Sequence, residues 1–414
     1  MAGAERLAWE PRLHAASAHA LYLHIPFCKR KCAYCDFPSW ATPARDASLR
    51  AYARSLGRLV AQAADDGLLE GCETAYIGGG TPTYLGEGLA SLVGRVREAA
   101  SDVAELTCEA NPDSLTDALL SGLVAAGATR VSIGVQSLSD AELAGLGRVH
   151  DAAAARERVG AAVASGLDVS CDLMCAIPAQ TADSWAVTLE GALELGVGHL
   201  SVYPLAIEEG TSLAARVGDE EPAWNSPDVQ ADRMEQARSA IEGRGLARYE
   251  VASYALPGKR CRHNVAYWTG VPYLGLGTGA ASMLAAEGYG RLRAACPQLP
   301  EPPRDMARAR LTMEGMPAEV GAARSLADLA FSCEFLTARE TAAEDLMLGA
   351  RLTCGLDPGL VAHAREAIGA DAVDGTLASL VRDGYLDDAL APTQRGWLLG
   401  NELYGRLWDL ASRA

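Results

Sequence analysis

The chain has 414 residues, and 49% of them are hydrophobic, which is enough for large buried cores. Its formal net charge of −17 argues against non-specific nucleic-acid binding. No run of about 18 consecutive apolar residues occurs, so the sequence predicts no membrane span.

Residues 1–20 are predicted to be an N-terminal extension. Charges at Glu5, Arg6, Glu10 and Arg12 interrupt this segment, so it lacks the apolar centre of a signal peptide. The chain has eleven cysteines and no secretory features, which indicates a reducing compartment where thiols stay free to bind metal. We therefore expect a cytoplasmic protein.

Residues 21–250 alternate between short strand patterns and longer helical patterns. The predicted strands are Leu21–Ile25, Thr74–Ile77, Glu105–Glu109, Arg130–Val135, Asp168–Ile177 and His199–Leu205. The predicted helices include Ser48–Ala64, Thr116–Ala126, Ala152–Ser165, Thr181–Leu195 and Val229–Glu242. Six successive βα units predict an α/β fold with a parallel sheet whose strands are buried on both faces, which fits their near-continuous apolar character. Six units are fewer than the eight of a closed barrel, so we expect a partial (β/α)6 barrel.

The rest of the chain is predicted to be an α+β extension in two parts. Residues 251–336 form a connecting segment that includes a proline-rich stretch at 297–305. Residues 337–414 hold three helical patterns before the run GYLDDALAPTQRG, and we expect a winged-helix-like module there. The acidic charge opposes DNA binding, so a structural cover or a partner-docking role is favoured for this module.

Three cysteines follow the first predicted strand, Cys28, Cys32 and Cys35, in the spacing C-x3-C-x2-C. Iron–sulfur clusters are normally held by four cysteines, so three thiolates would leave one iron of a four-iron cluster open to a small chelating molecule. Zinc is the alternative, but a zinc ribbon would carry a second C-x2-C pair. No such pair exists among the other cysteines, which we expect to be mostly packing residues: Cys72, Cys108, Cys171, Cys175, Cys261, Cys296, Cys333 and Cys354.

Further motifs follow the next predicted strands. GGGTP (Gly78–Pro82), EANP (Glu109–Pro112) and GVQS (Gly134–Ser137) lie at the ends of the second, third and fourth strands, and Asp172 lies in the fifth. Reactive residues of such sheets lie at the carboxyl ends of the strands, so we expect these motifs to meet the cysteines in one site. Taken singly, GGGTP could be a tight turn, and Glu109 and Asp172 could be helix caps or ion-pair partners.

These motifs together resemble those of a known family. YLHIPFCxxxCxYC, GGGTP, EANP, SIGVQS, LGRVH and DLMCAIP occur in the order found in radical S-adenosylmethionine (SAM) enzymes of the oxygen-independent coproporphyrinogen III oxidase group. The resemblance extends from about Leu21 to the C-terminus. It implies that SAM chelates the open iron and that an electron from the cluster cleaves it to a 5′-deoxyadenosyl radical. It also implies that SAM is bound by Tyr22, Tyr34, Gly79, Gly80, Thr81, Glu109, Gln136, Arg148 and Asp172.

Two departures from the oxidases point to the heme-chaperone subgroup of this family. The oxidases carry a further cysteine where this chain has Phe37, and they have a longer segment ahead of the cluster than the 27 residues that precede Cys28. The run HNVAYW matches a motif of the subgroup and implies that His263 is a heme ligand, with the Cys261 thiolate as an alternative. A histidine that only caps or bonds within a turn is the other interpretation. The expected porphyrin contacts are the faces of Tyr267 and Trp268, with Lys259, Arg260 and Arg262 on the propionates.

The resemblance thus implies a heme chaperone that binds heme and a SAM-ligated 4Fe-4S cluster. It would deliver heme to an apo-hemoprotein such as a membrane respiratory enzyme, and the cluster would act as a sensor or as a gate for homodimer formation. One alternative is a radical SAM oxidoreductase that decarboxylates coproporphyrinogen III. Another is a radical SAM enzyme that opens heme to release iron. No catalytic residue is assigned, and enzymatic activity stays open.

Overall fold

The computed structural model describes residues 16–220 and 222–412, so the first 15 residues of the predicted N-terminal extension lie outside the described part. The strands are β1 (Ala20–Ile25), β2 (Phe27–Cys28), β3 (Trp40–Ala41), β4 (Thr74–Gly79), β5 (Glu105–Ala110), β6 (Arg130–Gln136), β7 (Asp168–Cys175), β8 (His199–Pro204), β9 (Ala247–Arg248), β10 (Ser253–Ala255), β11 (Tyr273–Leu276), β12 (Ala281–Ala285), β13 (Met306–Met313) and β14 (Phe331–Thr337). The helices are α1 (Ala47–Asp65), α2 (Glu87–Ala99), α3 (Asp117–Ala126), α4 (Asp140–Gly145), α5 (Ala152–Ala164), α6 (Ala182–Glu194), α7 (Ser212–Val217), α8 (Pro227–Glu242), α9 (Arg262–Trp268), α10 (Ala286–Ala295), α11 (Pro317–Ala322), α12 (Ala338–Gly349), α13 (Pro358–Ile368), α14 (Ala370–Arg382), α15 (Gln394–Leu398) and α16 (Gly400–Trp408).

One long sheet runs through the molecule. Its centre is six parallel strands in the order β1-β4-β5-β6-β7-β8, which confirms the predicted partial barrel. Beside β1 the sheet continues through parallel β11 and then antiparallel β12, β13 and β14. Beside β8 it continues through antiparallel β10 and β9. The predicted connecting segment therefore supplies strands to both sides of the barrel sheet.

Helix α1, which covers the barrel, has a capped first turn and the regularly spaced buried residues of an amphipathic helix. In α1 the Asp46 side chain accepts a hydrogen bond from the Ser48 amide, which caps the first turn. The buried side chains of α1 then recur every three or four residues, as at Leu49, Tyr52 and Leu56, and they pack on the sheet. Among the described helices, none is both long enough and apolar enough to cross a bilayer.

The barrel strands β5 and β6 are buried on both faces, as predicted, but the two faces differ in polarity. In β6 the residues that join the core under the helices are apolar, such as Val131 and Ile133. The alternate residues Arg130 and Ser132 face the interior of the barrel and line a cavity there. Successive side chains of a strand point to opposite faces, so one strand can carry polar and apolar residues in alternation. The polar residues face the barrel interior, and the apolar residues pack under the helices.

The C-terminal helices α12, α13, α14 and α16 enclose a second apolar core, whereas Trp397 on α15 packs in the main core. Leu386 and Pro392 form an antiparallel bridge within the run GYLDDALAPTQRG. A buried ion pair joins this module to the sheet, because Arg308 Nη1 on β13 lies 2.7 Å from Asp345 Oδ1 on α12. The module is thus fixed against β13 by charged groups that solvent does not reach.

Candidate functional site

A cavity of about 520 Å³ occupies the interior of the partial barrel. Every residue that the sequence predicts as a cluster or SAM contact lines it, as do several that were not predicted. Of the expected heme contacts, Cys261, His263 and Tyr267 line the cavity, whereas Lys259, Arg260, Arg262 and Trp268 do not. The predicted residues are Tyr22, Cys28, Cys32, Tyr34, Cys35, Gly79, Gly80, Thr81, Glu109, Gln136, Arg148, Asp172 and His263. The parallel strands bring them together because most of them lie at the same edge of the sheet. Their individual roles stay predictions.

The cysteine loop lies at the carboxyl end of β1. Cys28 ends β2 and is only 8% exposed, whereas Cys32 and Cys35 are half-buried beside the cavity. The Cys35 amide donates to the Cys32 carbonyl at 3.3 Å, which turns the loop so that both thiols face the same space. Burial raises the pKa of the Cys28 and Cys35 thiols, so both are protonated until iron replaces the proton.

The glycine run packs directly against this loop. A Cβ atom on Gly80 would lie 2.9 Å from Cys28 Sγ, and one on Gly79 would lie 2.7 Å from a ring carbon of His24. Gly79 also has a φ of +116°, which L side chains rarely adopt. Gly80 needs to be glycine because its backbone lies so close to the cysteine loop, and Gly79 because its backbone lies so close to β1.

These contacts fit a four-iron cluster. All three thiols are free, they lie along one cavity wall, and Arg148 Nη1 lies 3.4 Å from Cys32 Sγ, where a cation offsets thiolate charge. In the described part of the chain, no three His, Cys, Asp or Glu side chains are close enough to hold a single metal ion. That finding concerns one ion, whereas in a four-iron cluster each thiolate binds a different iron.

Glu109 is held in the barrel by two donors. The Tyr76 hydroxyl donates to its Oε1 at 2.8 Å, and the Gly79 amide donates to its Oε2 at 2.9 Å. Burial, with a smaller contribution from the nearby Asp172 carboxylate, raises the pKa of this carboxyl to about 7. The carboxyl thus fixes the glycine run and can hold or release a proton near neutral pH.

Asp172 lies opposite Glu109 on the barrel wall. Ser132 Oγ donates to its Oδ2 at 3.0 Å, and burial raises the pKa of the carboxyl. Each carboxylate can accept more hydrogen bonds than these donors supply, so both can bind a hydroxyl or ammonium group in the cavity. This is the chemistry that the predicted SAM contacts require.

Arg148 belongs to a network that the sequence identified only in part. Its Nη2 donates to Asn111 Oδ1 at 2.6 Å and to the Gly134 carbonyl at 2.7 Å, while its buried Nε has no partner among the described residues. Asn111 Nδ2 donates in turn to Thr81 Oγ1 at 2.9 Å. Asn111 is thus a site residue that was missed, although its motif EANP was noticed.

Gln136 adopts an unusual backbone conformation at the end of β6. Its φ is +66°, and the pairing of β6 with β7 shifts register between Gly134 and Gln136. Non-glycine residues with positive φ are uncommon and cost of order 1–3 kcal/mol when the surroundings enforce them. The bulge turns the Gln136 side chain into the cavity, where the sequence predicts a SAM contact.

His263 lies at the opposite end of the barrel from the cysteines. Its Nδ1 is 2.9 Å from the hydroxyl of Thr74, the first residue of β4, while Gly79 ends the same strand beside the cysteine loop. Five steps along a strand at about 3.3 Å each put these ends roughly 16 Å apart. The histidine and the cysteines therefore line the same cavity from its two ends.

The imidazole of His263 is fully engaged within the chain. Its Nε2 is 3.1 Å from the Tyr267 hydroxyl, its ring stacks on Tyr76 at 5.1 Å, and its side chain is buried. Burial lowers the pKa of His263 to about 3, so the ring is neutral at physiological pH. A neutral imidazole is the form that binds iron, but neither ring nitrogen is free in this conformation.

The other predicted heme contacts also have partners within the chain. Lys259 pairs with Asp168, and Arg262 Nη2 lies 2.9 Å from Glu73 Oε2. The Cys261 thiol is buried 3.5 Å from Glu105 Oε1, and burial raises its pKa. The remaining aromatic and basic residues contact neighbours: Tyr267 meets Tyr273 edge-on at 4.6 Å, Trp268 lies under Arg351 at 5.0 Å and Arg260 lies over Tyr249 at 5.7 Å.

Comparisons with known proteins agree with this architecture. The chain matches the Radical SAM superfamily over residues 22–191. It is 35% identical to the heme chaperone HemW of Mycobacterium tuberculosis over 392 residues, which cover 92% of each chain. It is 30% identical to the heme chaperone HemW of Bacillus subtilis over 406 residues, which cover 93% of this chain and 97% of the relative. Among solved structures, coproporphyrinogen III oxidase (HemN) from Escherichia coli superposes with a TM-score of 0.72 at 22% identity, covering 96% of this chain and 91% of that one; this likeness shows a shared fold.

Proposed function

This chain belongs to the HemW family of radical SAM proteins, and we propose that it is itself a heme chaperone. It binds heme and passes it to an apo-hemoprotein, such as a respiratory enzyme in a membrane. The observation that carries the proposal is the likeness to the HemW chaperones along 92% of both chains. Phe37, which replaces the additional cysteine of the oxidases, supports the same conclusion.

The cofactors of the family are a 4Fe-4S cluster and SAM, and the cysteine loop is the proposed cluster site. Cys28, Cys32 and Cys35 hold three irons, and the fourth is left to SAM. When bound, the cluster can supply one electron to the SAM sulfonium. The chain's own contribution is to bury the cluster partly, to place Arg148 beside Cys32 and to bring the Gly80 backbone against Cys28.

The polar wall of the cavity is the proposed SAM site. Glu109 and Asp172 accept hydrogen bonds from the hydroxyl and ammonium groups of the ligand, while Thr81 and Gln136 contribute further polar atoms. Because the pKa of Glu109 is about 7, this carboxyl can change its protonation state near neutral pH, and its ionised form can accept a hydrogen bond from a bound ammonium group. On the chaperone proposal, SAM regulates the protein, and its cleavage is not the main output.

Heme is the proposed cargo, with His263 as its iron ligand and the Cys261 thiolate as the alternative. Dimer formation gated by the cluster, and a cytoplasmic location, belong to the same proposal. HNVAYW supports the assignment of His263, because it contains a neutral imidazole and two aromatic rings on one short helix. The client is a protein that lacks its heme when it meets the chaperone.

The competing proposal is an oxygen-independent coproporphyrinogen III oxidase. The fold shared with HemN favours it, since the same barrel can support radical chemistry on a porphyrinogen. One experiment separates the two proposals: reconstituted protein is incubated anaerobically with SAM, a reductant and coproporphyrinogen III, and protoporphyrinogen is measured. Turnover would overturn the chaperone proposal.

Heme transfer is the direct test of the chaperone. We expect the purified protein to bind heme stoichiometrically and to hand it to a heme-free acceptor in an absorption assay. His263→Ala should lower heme affinity at least tenfold, the loss expected when an axial ligand is removed. His363→Ala in α13 is the matched control, because it removes an imidazole outside the cavity. Equal heme binding by both variants would remove His263 from the site.

A further inference from the structure

Helix α9 closes the amino-terminal end of the barrel. It carries HNVAYW, and its first residues contact the first residues of several strands. The strongest of these contacts is to Glu105, which begins β5 and is only 8% exposed. The amide of His263 donates to Glu105 Oε1 and that of Arg262 donates to Oε2, both at 3.0 Å. Moving α9 away would break both hydrogen bonds and leave the buried carboxylate without these donors, which costs free energy.

The Tyr267 hydroxyl is hydrogen-bonded to the ring of His263. The Thr74 hydroxyl lies 2.9 Å from Nδ1 of His263, and the Tyr267 hydroxyl lies 3.1 Å from Nε2. In the tautomer with its proton on Nδ1, the Nε2 lone pair accepts the Tyr267 hydrogen. That lone pair is the one an iron ion would need. Iron can therefore bind Nε2 only after the Tyr267 hydroxyl has moved away. The imidazole does not have to lose a proton, because its proton is on Nδ1.

The far end of α9 is held by the C-terminal part of the chain. The Arg351 guanidinium lies over the Trp268 ring at 5.0 Å and over the Tyr404 ring at 4.2 Å. Arg308 Nη2 donates to the carbonyl of Gly270, just beyond the helix, at 3.4 Å, and the same guanidinium is paired with Asp345. The helix is thus clamped between the barrel strands and the second core.

We propose that α9 is a plug which must leave the barrel end before heme can reach His263, with Glu105 and Tyr267 as the positioning residues that keep it closed. This inference rests on the proposed heme-binding function, and it adds a closed form in which the protein cannot hold its cargo. The physical basis is that the proposed ligand is 1% exposed and has both ring nitrogens hydrogen-bonded. The partner that opens the plug would act on α9 directly or on the C-terminal helices that clamp it.

Two substitutions loosen the plug without removing the proposed ligand. Tyr267→Phe deletes only the hydroxyl on Nε2, and Glu105→Gln keeps the shape of the anchor but removes its charge and one of its two acceptors. Glu73→Gln is the matched control, because Glu73 contacts the exposed side of Arg262 and such surface pairs contribute little. If circular dichroism shows that Glu105→Gln does not fold, Tyr267→Phe alone tests the plug.

The first measurement is hydrogen–deuterium exchange of residues 262–268 in heme-free protein. We expect faster exchange by about fivefold in Tyr267→Phe and by about tenfold or more in Glu105→Gln, as expected for losing one neutral or one charged hydrogen bond. The control should exchange like the unsubstituted protein. Unchanged exchange in both test variants would overturn the plug.

The second measurement is the rate of hemin association, followed by absorption. We expect the rate constant to rise by similar factors in the two test variants, with the absorption spectrum of a histidine-bound heme retained. Loss of that spectrum in Tyr267→Phe, or equal rates in all variants, would overturn the proposal. Failure of the unsubstituted protein and of both test variants to bind hemin would instead refute the proposed function, and the exchange experiment shows separately whether Glu105 and Tyr267 hold α9 closed.

Discussion

The two ends of the barrel cavity are built in opposite ways. At the carboxyl end, Cys32 and Cys35 are half-buried, Phe37 is 58% exposed, and the buried Nε of Arg148 has no partner among the described residues. At the amino end, His263 and Glu105 are buried and each has its hydrogen bonds within the chain. The comparison teaches that one end is arranged to accept a ligand at once, whereas the other must first rearrange.

The largest expected effect concerns the cysteines at the carboxyl end of the cavity. Replacing Cys28, Cys32 or Cys35 singly by alanine should abolish the broad visible absorption of a reconstituted cluster, because each thiolate holds one iron. Iron and acid-labile sulfide are measured in parallel. Cys354→Ala is the control, since this exposed cysteine lies outside the cavity. A Cys32→Ala protein that kept full iron and sulfide would break the cluster assignment.

The next effect concerns the raised pKa of Glu109, which is about 7 against an ordinary value of 4.5. Between these two values the folded state holds the proton more tightly than the unfolded state. Ionising the buried carboxyl therefore costs stability as pH rises from about 4.5 to about 7, by roughly 3 kcal/mol. Glu109→Gln should remove this loss, so its stability relative to the unsubstituted apoprotein should rise over that range.

Urea unfolding of both apoproteins at several pH values measures the difference. Glu98→Gln is the matched control, because Glu98 is an exposed carboxylate on α2. A stability difference between Glu109→Gln and the unsubstituted protein that stayed constant from pH 4.5 to 7 would contradict the assignment of the pKa shift to burial in the barrel.

The smallest expected effect concerns the close backbone approach at Gly80 in the glycine run. Gly80→Ala would place a methyl group 2.9 Å from both Cys28 Sγ and the Phe27 carbonyl oxygen, so the cysteine loop must shift. We expect a loss of about 1–3 kcal/mol in unfolding free energy and a lower yield of cluster on reconstitution. Gly160→Ala is the control: it lies in α5 with no atom within 4 Å of the added carbon, and it should be neutral or stabilising. Equal behaviour of the two variants would show that the close approach at Gly80 is unimportant.

Much of the barrel could be predicted because its signals are local. The six central strands begin within one residue of their predicted positions, and α8 begins at Pro227 where the helix was expected from Val229. The cysteines, the glycine run, Glu109 and Asp172 meet for a general reason, since the carboxyl ends of parallel strands share one edge. These features need no knowledge of long-range pairing.

What escaped prediction depends on contacts between distant segments. Nothing near His263 in the sequence shows that its ring reaches Thr74, 189 residues earlier, or that Glu105 anchors its helix. The polar interior was visible in principle, because Arg130 and Ser132 alternate with Val131 and Ile133, but the apolar residues dominated the strand pattern. The added strands β11 to β14 were missed because they lie outside the regular βα alternation, and because β13 and β14 mix polar with apolar residues.

The pairing of β1 with both β4 and β11 has a consequence for biosynthesis. One side of this early strand finds its neighbour at Thr74, but the other side waits for Tyr273 to leave the ribosome. Until then the nascent polypeptide presents a row of unpaired backbone amides and carbonyls, which invites intermolecular strand pairing. A fragment that stopped near residue 250 would keep that edge permanently, and we expect it to aggregate when overproduced.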